Sequence, residues 1–66
     1  MTIKVDQIRP GMTIKFELGD YDNWVTVKVV KLKEVASGYY CFTVNDEDRG
    51  DYNVWIDRFD TVEVVD

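Results

Sequence analysis

The residues best suited to chemistry crowd into one stretch, TVNDEDRGDYNVW (Thr43–Trp55), where Asp46, Glu47, Asp48 and Asp51 fall within six positions. Carboxylates this close suggest a hard cation, and DEDRGD has a superficial likeness to a calcium loop. Such loops place carboxylates at alternate positions, glycine sixth and a bidentate Glu twelfth. Counted from Asp46, glycine comes fifth and Asp57 stands twelfth, so no metal is expected. Arg49-Gly50-Asp51 spells the cell-adhesion tripeptide, but no secretion signal accompanies it. Asn45, Asp46 and Gly50 are turn formers, and charge keeps a hairpin tip solvated. The run therefore reads first as a hairpin turn.

Nucleophilic chemistry has one candidate, Cys41, and the chain contains no His. Lys31 is the one nearby charge able to favour a thiolate. Without a base, an orienting group or an oxyanion hole, the requirements for nucleophilic catalysis are unmet. No glycine-rich phosphate loop or metal-type cysteine spacing occurs, so no cofactor is expected. Ordering 66 residues costs on the order of 100 kcal/mol, and nearly every apolar side chain is needed for the core. A deep substrate pocket would leave too little of it. The expectation is a protein that is not an enzyme.

Thirteen acidic and eight basic residues give a net charge of -5. The lysines are too dispersed for a phosphate-binding stripe, so nucleic acid and anionic membranes are not the expected partners. A single cysteine excludes an internal disulfide framework. No apolar run approaches the ~20 residues of a membrane span, and MTIKVDQIRPGM lacks a signal-peptide core. These features together suggest a soluble cytoplasmic protein.

The elements that must position these groups are strands. Residues 1–66 read as one all-β domain, because apolar and polar residues alternate with period two through most of the chain. In MTIKFEL, Met12, Ile14, Phe16 and Leu18 share one face. Ile3, Val5 and Ile8 tuck back onto the core ahead of the turn at Pro10-Gly11. In WVTVKVVKLKEV, Val25, Val27 and Val29 point inward, and the phase slips at Val29-Val30. A β-bulge or bend there restores the pattern. GYYCFTV turns Tyr40, Phe42 and Val44 inward, DYNVWID turns Tyr52, Val54 and Ile56 inward, and TVEVV closes the chain. Residues 58–60 suit one 3₁₀ turn, with Phe59 plugging an end of the barrel.

With 34–38 and 45–51 as hairpin loops, Lys31 opposes Cys41, Leu32 opposes Tyr40, Phe42 opposes Val54 and Cys41 opposes Trp55. Inward residues then meet inward ones throughout. The outward face gathers Tyr39, Cys41 and Trp55, flanked by Lys31 and Lys33, in a patch of the kind that anchors protein interfaces. The competing expectation is that Ile3–Ile8 folds over this patch and makes it core. Tyr21 and Trp24, beside Asp20 and Asp22, offer part of an aromatic cage for a cation, or a cap for the barrel end.

Five strands in meander order, with a bent second strand and a 3₁₀ turn before the last, describe a small SH3-like barrel. VDQIRPGMTI, through Ile8, Arg9, Gly11, Met12 and Ile14, resembles the start of the N-terminal barrel of elongation factor P and other KOW-type domains. The resemblance spans about a quarter of the chain and implies the fold. Activity does not carry over. Where that family has a lysine-tipped, glycine-rich loop reaching toward transfer RNA, this chain has EVASG.

Three functions fit. The first is a protein interaction module, or a homo-oligomer subunit, using the aromatic face. The second is an acidic inhibitor, of the compact kind phages encode, whose Asp20, Asp22, Asp46, Glu47, Asp48, Asp51, Asp57 and Asp60 imitate a phosphate backbone. The third is a KOW-like nucleic-acid binder using Lys15, Lys28, Lys31 and Lys33, with Tyr39 and Trp55 for stacking.

Overall fold

The computed structural model describes residues 1–17 and 22–65. Its strands are β1 (Thr2–Lys4), β2 (Thr13–Glu17), β3 (Trp24–Ala36), β4 (Tyr39–Asp46), β5 (Gly50–Asp57) and β6 (Thr61–Val65), with a 3₁₀ turn at Val5–Gln7. All six strands join one antiparallel sheet in the order β1-β6-β2-β3-β4-β5. The sheet is not closed: β1 and β5 are its edges. Among the described residues no helix is long and apolar enough to cross a membrane.

One short link dictates the shape. From β6 to β5 there are four interstrand steps, about 19 Å if the sheet were flat. Yet Asp57 and Thr61 are only four residues apart, a reach of at most ~15 Å. The sheet must therefore roll. Its concave side buries Val5, Ile8, Ile14, Phe16, Val27, Val29, Phe42, Val44, Val54, Ile56 and Val62 in a single cluster. Most of the inward sets expected for the strands are these residues, with Met12, Val25, Tyr40 and Tyr52 packed half-buried against them, whereas Leu32, expected inward opposite Tyr40, is exposed. Leu18 lies outside the described residues.

The sheet has six strands where five were expected. The added one is β1, which pairs Thr2 with Glu63 and Lys4 with Thr61. TIK is too short for alternation to reveal, and beside its backbone ladder Glu63 accepts from the Thr2 hydroxyl at 2.7 Å and from the Met1 amine at 3.0 Å. These bonds, the Thr2 hydroxyl foremost, hold the Glu63 carboxyl below its ordinary value. The 3₁₀ turn also lies elsewhere than expected. It is at Val5–Gln7, where Val5 is fully buried. Residues 58–60 instead make a tight turn, closed by Asp60 N–H donating to the Asp57 carbonyl at 3.0 Å and Phe59 N–H to Asp57 Oδ1 at 2.8 Å. Phe59 plugs nothing. It is 80% exposed, with the Arg58 guanidinium 4.6 Å from its ring centre.

The phase slip at Val29-Val30 is a register shift between Val29 and Lys31, and a second shift follows between Leu32 and Glu34. The expected β3–β4 hairpin is corrected at its turn. Leu32 opposes Phe42, Val35 opposes Tyr40 and Ala36 opposes Tyr39, leaving a two-residue turn at Ser37-Gly38. Both turn residues have positive φ, 52° and 80°, the geometry whose twist suits a tight hairpin. The β4–β5 register agrees with expectation at Val44–Tyr52, Phe42–Val54 and Cys41–Trp55, and pairing runs on to Asp46–Gly50.

Serine tolerates the left-handed region poorly, whereas asparagine and glycine occupy it readily. Ser37→Asn should stabilise the fold by about 0.5–1 kcal/mol and raise the melting temperature by several degrees in a scanning calorimeter. For Glu63, a folded pKa below the unfolded one gives stability that is present at neutral pH and lost as pH falls through the folded value. The stability gap between the protein and Glu63→Gln should hold steady above the ordinary carboxylate range and close in acid, as read by urea unfolding at stepped pH.

Candidate functional site

Directly opposed residues on neighbouring strands share a face, so the registers define the outer surface. Its cross-strand rows are Lys28–Asn45–Asp51, Lys31–Thr43–Asn53, Glu34–Cys41–Trp55 and Ala36–Tyr39–Asp57. Trp55 is thus the diagonal neighbour of Tyr39, and the two are 52% and 44% exposed. A shallow recess between them is lined by Ala36, Ser37, Tyr39 and Trp55. The N-terminal segment does not cover the patch, because β1 pairs with β6 at the opposite edge of the sheet.

Two members of the expected patch are corrected. Cys41 is 1% exposed and does not belong to the surface. It occupies the central strand of the hairpin pair, and both its cross-strand neighbours, Glu34 and Trp55, carry longer side chains. Lys31 opposes Thr43 and not Cys41, because the tight turn at Ser37-Gly38 sets Ala36 opposite Tyr39 and so moves β3 along β4. It remains exposed on the outer face, and Lys33, which has no partner in the ladder, is exposed as well.

Tyr21 and Asp20, the other half of the expected cage, lie outside the described residues. Trp24 is exposed, and the Lys15 ammonium already stands 5.9 Å from its ring centre. The cation at this ring is therefore the protein's own. Asp22 is exposed at φ 62°, its N–H donating to Glu17 Oε2 at 3.0 Å.

The acidic run forms the tip of the β4–β5 hairpin, with Arg49 N–H donating to the Asp46 carbonyl at 3.2 Å and Gly50 at φ 77°. Two of its carboxylates hold the turn together. Asp46 Oδ1 accepts from Asp48 N–H at 2.9 Å, and Asp51 Oδ1 accepts from Asn45 Nδ2 at 2.8 Å. Glu47 and Asp48 project their carboxylates into solvent without an ion pair to any described residue. Among the described residues no group of three or more His, Cys, Asp or Glu is placed to hold a metal.

The edge of β5 is the feature that the sequence pattern did not expose. It runs from Gly50 to Asp57 in unbroken register with β4 and has no strand on its other side among the described residues. A cleft lies along this open seam, lined by Phe16, Trp55, Asp57, Asp60 and Val62 among others. Alternation identifies a strand's faces but says nothing about which strand is last in the sheet. Comparison of the chain with family models, with curated proteins and with solved structures gives no match.

Burial of Cys41 has a direct chemical consequence, since a thiol must reach its reagent. In the native protein Cys41 should react with a bulky aromatic disulfide at least about a hundredfold more slowly than after denaturation, the folded state being open only a small fraction of the time. Absorbance of the released thiolate measures both rates.

Proposed function

We propose that the protein is a non-enzymatic interaction module whose protein partner, or a further copy of the chain, docks on the outer sheet face around Trp55 and Tyr39. The observation that carries this reading is the exposure of both rings side by side around an apolar recess. Large aromatics supply most of the energy of many interfaces, and a domain with so little core gains nothing by leaving two of them wet. The rolled sheet, the bent β3 and the short turn before β6 support its assignment as a divergent SH3-like barrel with a KOW-like opening. A reduced, buried lone cysteine is consistent with a cytoplasmic setting.

A second reading rests on the hairpin tip. Glu47 and Asp48 stand unpaired there and offer a basic partner a pair of exposed charges. This is the surface an acidic inhibitor of a nucleic-acid-handling protein would use. Salt separates the two readings, because exposed charges more than a Debye length apart are screened and apolar contacts are not.

Trp55→Ser should leave the melting temperature nearly unchanged and weaken partner binding by roughly 2–4 kcal/mol, the cost of removing an interface anchor. Affinity capture from a lysate of the protein's source, at low and high salt, provides the partner for that measurement. Binding that survives high salt and fails with Trp55→Ser supports the aromatic face. Binding lost in salt and kept by the variant transfers the function to Glu47 and Asp48.

A further inference from the structure

Trp55 lies on the last strand of the sheet, and the structure indicates what could complete that edge. Sheet edges are normally blunted by bulges, prolines, lysines or short length. The distal half of β3 is protected by its two register shifts. β1 is three residues long. By contrast β5 is eight residues long, regular, and free of proline and lysine.

We infer that the occupant of the β5 edge is the β5 edge of a second copy, paired antiparallel about a two-fold axis at Asn53. The inference rests on the reading of Trp55 as an interface residue and names its partner. A two-fold antiparallel pairing must set outer residues against outer residues, or every side chain would change face. Of the registers that do so, those centred on Asn53 and Val54 pair seven of the eight residues of β5, and those centred on Tyr52 and Trp55 pair five. Centred on Val54, Asp51 meets Asp57. Centred on Tyr52, Glu47 of the hairpin tip comes toward the other copy's Asp57. Both bring like charges together.

Centred on Asn53, the ends of the strand become complementary. Arg49, in the turn just before β5, then lies at the end of the other copy's strand beside Asp57, and Asp48 of the same turn lies beside Arg58 of the turn that follows β5. Two-fold symmetry repeats both pairs. Asp51 opposes Trp55, Tyr52 opposes Val54, and Asn53 opposes itself. The long Arg49 side chain then also has the second copy's Trp55 within reach, where a guanidinium can lie over the indole. In the isolated chain neither Arg49 nor Asp57 has an ion-pair partner among the described residues. Arg58 and Asp48 are likewise without one. The arrangement yields a continuous twelve-stranded sheet across the dimer, two copies of the six-stranded one, with Trp55 and Tyr39 of both copies on its outer face.

Sedimentation velocity over a concentration series, at low and moderate salt, tests the assembly. The protein should dimerise reversibly. Asp48→Arg or Arg58→Asp alone should weaken the dimer by about tenfold, since symmetry doubles the effect of each exposed pair, and the double variant should recover it. The register has its own test. Asn53→Cys places its thiol opposite its own symmetry copy, within disulfide reach, and should cross-link under mild oxidation. Asp51→Cys, displaced along the strand from its copy, should not. Circular dichroism confirms that each variant is folded, and the cross-linking pair remains informative if the charge variants are not. A monomer at all concentrations overturns the inference, as does cross-linking of Asp51→Cys in preference to Asn53→Cys. A monomer that still loses a captured partner on Trp55→Ser overturns the dimer while leaving the aromatic-face reading in place. A monomer whose captured partner is indifferent to Trp55→Ser overturns both.

Discussion

The three residues between β5 and β6 are the constraint on which the rest of the molecule depends. They join strands that sit four steps apart in the sheet, and no flat arrangement lets them do so. Rolling the sheet answers that requirement and gathers one apolar cluster from every strand after β1, with Val5 and Ile8 added from the segment behind β1. The turn itself is fixed locally, by Asp57 accepting from Phe59 N–H through its side chain and from Asp60 N–H through its carbonyl. Arg58 N–H, donating to the Gly38 carbonyl at 2.9 Å, ties this turn to the neighbouring hairpin.

Curvature has to be absorbed somewhere, and β3 absorbs most of it. At thirteen residues it is the longest strand, pairing with β2 through its first half and with β4 from Lys28 onward. Its two register shifts bend the strand and increase its twist. They also leave Val30, Leu32 and Val35 partly exposed, beyond the reach of β2. A small sheet thus keeps a dense core under its first half while its distal hairpin stands out in solvent.

Surface chemistry follows from the same geometry. Because β1 occupies the edge beside β6, nothing from the N-terminal segment reaches Trp55 and Tyr39, and the outer face of the last hairpin stays open. The acidic residues are divided by the turn that holds them. Asp46 and Asp51 are engaged in shaping it, while Glu47 and Asp48 are free to act outward. Lys15 is drawn to Trp24 on the opposite side of the same face, and this separates the two tryptophans in role as well as in position.

Much of this was legible in the residues themselves. Alternation in MTIKFE, YYCFTV, YNVWI and TVEVV assigns the core faces of β2, β4, β5 and β6, because the period of a strand is a property of the backbone and a half-buried sheet must obey it. The doubled valine at Val29-Val30 marks the first register shift, since one residue of slip is visible wherever a face must stay apolar. The polar pair Lys33-Glu34 carried the second shift, and Ser37-Gly38 the tight turn, but both are compatible with a longer loop until pairing selects between them. Tertiary structure alone decided the rest. Only the assembled sheet buries Cys41 between longer neighbours, pairs TIK with β6 as a sixth strand, and leaves β5 at an edge. Alternation records which way a side chain points, whereas exposure depends on what lies beside it, and that is settled by strand order.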